Sequence, residues 1–230
     1  MPDTHAHIVK QFEEELRLIK EKVLRLGGLV EEGIANSIKA LVERDTQLAE
    51  RTIENDHVIN GLEVEIDELC LKVLALRQPA ASDLRLITTA IKIITDLERI
   101  GDMAVNVCER VLELNEESPL KPYIDIPRMA LAAQRMLKES LDAFVNGDTD
   151  LATKVLVEDD FVDELNRQIF RELLTFMMED PNTISRAMKI LFISKYLERI
   201  ADHATNIAEI VVFMVKGKVI RHTKPQQESY

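Results

Sequence analysis

From Ile8 to Val42, apolar residues recur at Phe12, Leu16, Ile19, Val23, Leu26, Val30, Ile34, Ile38 and Leu41. Spacings of three and four describe one amphipathic helix with a single apolar stripe. Gly27 and Gly28 fall in its middle, where each glycine costs about 1 kcal/mol relative to alanine. The stripe stays in phase across the pair, so they mark a bend or a close helix contact rather than a break. Asp45 is placed to cap a second helix, whose stripe runs Leu48, Ile53, Ile59, Leu62, Ile66, Leu69, Val73 and Leu76 until Pro79 ends it. Ser82 is placed to cap a third helix, which carries Leu84, Ile87, Ile91 and Ile94 and fades near Asn115. Between Ser118 and Pro127 the periodicity lapses and three prolines appear. That interval divides residues 1–117 from residues 118–230.

The second part repeats the first. A shorter fourth helix is expected from about Ile126 to Val145. Asp148-Thr149 opens a fifth as Asp45-Thr46 opens the second, and Pro181 closes it as Pro79 closes its counterpart. Residues 37–56 match residues 140–159 at eight of twenty positions. Leu97-Glu98-Arg99-Ile100-Gly101-Asp102-Met103-Ala104-Val105-Asn106-Val107-Cys108-Glu109 returns one hundred residues later as Leu197-Glu198-Arg199-Ile200-Ala201-Asp202-His203-Ala204-Thr205-Asn206-Ile207-Ala208-Glu209. Eight of those thirteen positions are identical, which makes this an internal repeat. The expected fold is all-α: six helices in two pseudo-symmetric three-helix bundles that arose by duplication.

At about 100° per residue, Glu98, Asp102, Asn106 and Glu109 fall at roughly 0°, 40°, 80° and 20° around the helix. They form one oxygen-rich stripe, and Glu198, Asp202, Asn206 and Glu209 form a second. Acidic residues at i and i+4 repel by a few tenths of a kcal/mol. A multivalent cation held between them reverses that sign. The neighbouring helices add Asp56 and Asn60 in the first half and Asp159 and Asp163 in the second. Antiparallel packing can bring a pair from each helix together, giving the four or more oxygens that hard cations take. Only His57 lies near either site in sequence and no cysteine faces it, so the chemistry is carboxylate rather than Cys/His zinc.

Composition narrows the function classes. Net charge is −12, aromatics are 4% and no tryptophan is present. Without clustered Lys and Arg no surface neutralises phosphates, so a nucleic-acid partner is not expected. The basic tail of Lys216, Lys218, Arg221 and Lys224 suits a helix C-terminus. The longest apolar run, Ile210–Val215, is too short to cross a bilayer, so no direct membrane insertion is expected. Met1 to Lys10 lacks an apolar signal core. Cys70 and Cys108 sit among apolar neighbours, which fits buried thiols in a cytoplasmic protein. A ferritin-like oxidase or metal-storage bundle requires two Glu-x-x-His motifs. Glu54-x-x-His57 is one, and Asp160 stands where the second would place its histidine. No nucleophile elbow, P-loop or dinucleotide turn is present, so no enzyme activity is expected.

Two copies of Leu-Glu-Arg-Ile-(Gly/Ala)-Asp followed by Ala-x-Asn-(Val/Ile), with Arg77-Gln78-Pro79 and Asp83-Leu84-Arg85 ahead of the first, resemble the PhoU family of phosphate-transport accessory proteins. The resemblance runs from about residue 8 to 217. It implies a cytoplasmic negative regulator of the phosphate-starvation response, and a homodimer is expected. Its partners would be the ATPase subunit of the phosphate ABC transporter and the phosphate-sensing histidine kinase. The resemblance also implies that Glu98, Asp102, Asp159, Asp163, Glu198 and Asp202 hold a multinuclear divalent or trivalent metal, namely iron, zinc or manganese. Asn60 stands where the second half has Asp163, so the first site is expected to be the weaker one.

Overall fold

The computed structural model describes residues 3–217, with side chains from Lys10 onward. Seven α-helices follow in order: α1 (Asp3–Glu43), α2 (Thr46–Glu54), α3 (Asp56–Arg77), α4 (Ala81–Asn115), α5 (Asp125–Asn146), α6 (Thr149–Glu179) and α7 (Ile184–Lys216). A single 3₁₀ turn, Pro181–Thr183, joins the last two. No strand occurs among the described residues. Of the basic tail only Lys216 lies within α7; Lys218, Arg221 and Lys224 lie outside the described residues.

Two expected helix ends shift. The second helix is broken at Asn55 into α2 and α3, whereas its counterpart α6 runs unbroken past Glu158. Asparagine competes for backbone hydrogen bonds in ways glutamate does not. The break makes Asp56 the first residue of α3, where the exposed amides of the helix start favour a carboxylate. The third helix starts one residue before Ser82. Ala80 is its cap residue and offers no side-chain bond, while its carbonyl accepts the Leu84 amide at 2.8 Å. The other caps form as expected. Asp45 accepts from the Leu48 amide at 2.9 Å, and Asp148 accepts from the Asp150 and Leu151 amides at 3.0 and 2.9 Å.

The predicted stripe of α1 is the core. Ile19, Val23, Leu26, Val30 and Ile34 are fully buried. One continuous apolar cluster passes through both halves. α4 and α7 pack together at its centre, with α1 and α3 against α4 and α5 and α6 against α7. In the α4–α7 seam a buried polar pair spans the halves, His203 Nδ1 lying 2.8 Å from Asp96 Oδ1.

The glycine pair in α1 resolves into two different residues. A Cβ on Gly27 would stand 2.2 Å from Leu141 Cδ1 on α5, so α1 and α5 touch there only because the side chain is missing. Gly28 has nothing within 4 Å of such a Cβ. Leu141 is itself buried and has little room to turn. Gly27→Ala should therefore lose about 1–3 kcal/mol through overpacking. Gly28→Ala should gain about 0.5–1 kcal/mol from helix propensity. Urea melts of the two variants check this: shifts of the same sign would refute the close contact.

Candidate metal centre

In the first half Asp56, Asn60 and Glu63 occupy the i, i+4 and i+7 positions of one face of α3, opposite Glu98 and Asp102 of α4. Asn60 Nδ2 donates to Asp56 Oδ2 at 2.8 Å. The other oxygen, Asp56 Oδ1, is buried without a hydrogen-bond partner. A buried acceptor left unmade costs about 1–3 kcal/mol, more when charged. Burial raises the Glu98 carboxyl, and Asp102, Glu63 and Asp56 raise it further against the relief of Arg99. Asp102 is raised by burial and then by Asp56.

The second half reproduces this on α6 and α7. Asp159, Asp163 and Asn166 share a face of α6 opposite Glu198 and Asp202 of α7. Burial, then Asp202, Asp163, Asp160 and Glu198, push the Asp159 carboxyl up to about 6. Asp202 is raised by burial, Glu198 and Asp163, with Lys195 and His203 opposing. Lys195 Nζ lies 2.5 Å from both carboxylate oxygens of Glu198. The first half has Thr95 at that place in the repeat. The second cluster thus carries an ammonium that the first lacks.

The structure brings Asp56, Glu98 and Asp102 together, and likewise Asp159, Asp163, Glu198 and Asp202. The remaining stripe residues lie further along α4 and α7. Asn106 and Asn206 are half-buried one turn beyond Asp102 and Asp202. Glu109 is exposed and faces the Arg110 guanidinium at 3.5 Å. Neither Glu109 nor Glu209 is among the charges that raise the clustered carboxyls. The expected weakness of the first site rests on Asn60 alone. Glu63 faces Glu98 and restores the charge that Asn60 removes. Asn166 occupies the matching place in the second half, so aspartate and asparagine in one copy answer to asparagine and glutamate in the other, and each cluster holds four carboxylates. The i+7 spacing from Asp56 was the signal for Glu63.

The donors are all oxygens, which suits hard cations. The orphaned Asp56 Oδ1 and the mutual repulsion within both groups fit a site completed by positive charge. As placed, no three His, Cys, Asp or Glu side chains among the described residues converge closely enough to enclose an ion. Both thiols are buried and pushed up to about 12 by desolvation, so they offer no thiolate. His57 is exposed, with Nδ1 2.5 Å from the Glu54 carbonyl oxygen. The acidic clusters line grooves between two helices and not a bundle interior, as a ferritin-like centre would.

Burial of Asp159, and the like charges around it, predict a pH dependence. The folded state binds a proton at Asp159 near pH 6, while the unfolded chain binds it only near 3.8. Metal-free protein should therefore gain stability at this site as pH falls from about 7 towards 4, and lose that gain as pH rises through about 6. Asp159→Asn should flatten the trend in urea unfolding at pH 7 and pH 5 with chelator present. An unchanged slope would show that Asp159 is not held among like charges.

Two carboxylate clusters, each spread over an antiparallel helix pair and repeated on a duplicated helical scaffold, define a doubled helical bundle with paired acidic grooves. The PhoU domain pattern matches that duplication, at residues 23–111 and again at 126–211. A phosphate-specific transport system accessory protein PhoU homologue of Pseudomonas aeruginosa is 46% identical over 221 residues, covering 95% of this chain and 90% of that protein. The accessory protein PhoU of Escherichia coli is 40% identical over 218 residues, covering 95% and 90%. Crystal structures of PhoU from Pseudomonas aeruginosa and Streptococcus pneumoniae superpose with TM-scores of 0.86 and 0.85, at 45% and 30% identity. They cover 90% of this chain each, and 100% and 98% of those chains. The chain belongs to the PhoU family.

Proposed function

We propose that this protein regulates phosphate uptake and the phosphate-starvation response as a non-enzymatic, cytoplasmic adaptor that represses the response when phosphate is plentiful. The observation that carries the reading is end-to-end similarity to proteins named as accessory to phosphate-specific transport, at 46% and 40% identity. No described helix is long and apolar enough to cross a membrane, which suits a protein recruited to a transporter rather than embedded in one. Its partners are the transporter's ATPase subunit and the phosphate-sensing histidine kinase, and it acts as a homodimer.

Asp56, Glu63, Glu98 and Asp102 in the first half, and Asp159, Asp163, Glu198 and Asp202 in the second, would hold a multinuclear iron, zinc or manganese centre. Bound metal supplies positive charge that offsets the repulsion and ties each helix pair together. The protein's own part is to hold the four carboxylates on facing turns, with Asn60 fixing the orientation of Asp56 and Lys195 that of Glu198. A carboxylate-bridged oxidase has no comparable support, since its second Glu-x-x-His is missing and the one present turns to backbone.

Co-elution of the purified chain with the ATPase subunit, and separately with the kinase's cytoplasmic part, tests the adaptor role. Cells lacking the chain should also express phosphate-starvation genes in phosphate-rich medium. Normal repression in such cells, or no binding to either partner, would overturn the reading.

A further inference from the structure

The groove that holds the second carboxylate cluster continues along α6 and α7 into a cleft of a different character. Asn166, Arg167, Phe170 and Arg171 of α6 line it with Leu191, Phe192 and Lys195 of α7, enclosing about 430 Å³. Beyond Phe170 the same helix carries Leu174 and Met178, and α7 carries Met188 and Ile184 ahead of Phe192. All six are between 37% and 77% exposed. Each wall therefore presents large apolar side chains at four-residue intervals over about 12 Å. Exposed apolar side chains repeated beside an apolar cleft mark an interaction site.

The duplication shows that the fold does not require these residues. At the matching places in the first half stand Val64 for Arg167, Asp67 for Phe170, Glu68 for Arg171, Lys92 for Phe192 and Thr95 for Lys195. Both aromatic rings and all three cations belong to one copy. In a chain of net charge −12, Arg167 and Arg171 stand exposed beside one apolar cleft, with Lys195, whose ammonium pairs with Glu198 at 2.5 Å, at its edge.

We propose that this α6–α7 groove docks an amphipathic helix of a partner protein, with an apolar face and acidic flanks. Ridges spaced by four residues on two walls accept a third helix whose anchors repeat every three or four residues. The basic rim selects acidic flanks and steers their approach. A bilayer is flat and does not fill a concave cleft, and the protein's overall charge opposes an anionic lipid surface. The proposal rests on the adaptor reading and supplies a surface for it.

The test uses full-length protein and a labelled sixteen-residue helical peptide with leucine at positions i, i+4 and i+7 and glutamate on the flanks, followed by fluorescence anisotropy. Its twin carries lysine in place of glutamate. The acidic peptide should bind at least tenfold more tightly than its twin. Arg167→Glu/Arg171→Glu should reverse that preference, and Phe170→Ser/Phe192→Ser should weaken both peptides tenfold or more. All four positions are exposed, so circular dichroism should show unchanged helix content. Equal binding of the two peptides, or equal binding by wild type and variants, overturns the proposal. Wild-type attachment to phosphatidylglycerol vesicles without peptide binding overturns it in favour of a membrane.

The same variants are then tested against the ATPase subunit and the kinase. Loss of either partner supports the groove. Retention of both by both variants overturns the groove and leaves the adaptor reading standing. If wild-type protein binds neither partner, the adaptor reading fails while the peptide preference still decides the groove.

Discussion

Replacing His203 with leucine is expected to cost about 3–5 kcal/mol of folding stability, the usual effect of removing one member of a buried, hydrogen-bonded polar pair. The volume changes little; the loss comes from what is left behind. Asp96 and His203 are each 8% exposed and 2.8 Å apart in the α4–α7 seam. A carboxylate only accepts, so Nδ1 must carry the proton and donate it. Without that donor the Asp96 carboxylate stays buried with nothing to offset it. The double change Asp96→Leu/His203→Leu should recover most of the loss, because an apolar pair needs no compensation there. Urea unfolding of both singles and the double closes the cycle. A single-variant loss below about 1 kcal/mol would show that the pair does not bind the halves together.

A loss of that size matters because a domain's whole stability is about 5–15 kcal/mol. The pair also breaks the repeat, since Tyr196 and Met103 stand at the matching places. It belongs to the surface where the two copies form one core.

The second large effect is linkage between metal and folding. A cation that binds the folded clusters and not the unfolded chain stabilises by about 2.7 kcal/mol at a hundredfold excess over its dissociation constant. Chelation should lower the melting temperature, and manganese, zinc or ferrous iron should restore it. Glu198→Gln/Asp202→Asn should abolish the second cluster's share. It should also raise metal-free stability slightly, because two repelling charges disappear. Glu98→Gln/Asp102→Asn should do the same in the first half to a similar degree, since Glu63 answers for Asn60. A metal response confined to the second half would mean that Glu63 does not serve as a ligand.

The fold was legible because its code is local and written twice. The α1 stripe follows from spacing alone, and Asp45 and Asp148 cap their helices as their chemistry requires. What escaped depended on distance or on weak local preference. The break at Asn55 separates residues that share one apolar stripe, so periodicity carried the helix straight through it. Ser82 is a better cap than Ala80 by chemistry, yet the backbone leaving Pro79 reaches helical geometry first.

At the site, the Glu-x-x-x-Asp pairs pointed to carboxylates that α3 with α4 and α6 with α7 bring near one another, as far as Asp102 and Asp202. The angular stripe extends beyond them, because it records direction around a helix and not height along it. Glu109 shares the azimuth of Glu98 but sits about 16 Å further along the axis. Glu63 lies at i+7 from Asp56 in plain sequence, but only its place opposite Glu98 draws it into the cluster. The Asp96–His203 pair was not legible, being two isolated departures from the repeat 107 residues apart. The basic cleft likewise became visible only when α6 and α7 stood side by side.

The most direct measurement is the metal content of protein purified without chelator. Wild type should be compared with Glu98→Gln/Asp102→Asn, with Glu198→Gln/Asp202→Asn and with all four changes together, by mass spectrometry of the digested protein. Each double variant is predicted to lose one cluster's share, in similar amounts, and the fourfold variant to retain none. Wild-type metal content in the fourfold variant would contradict the assignment of these carboxylates.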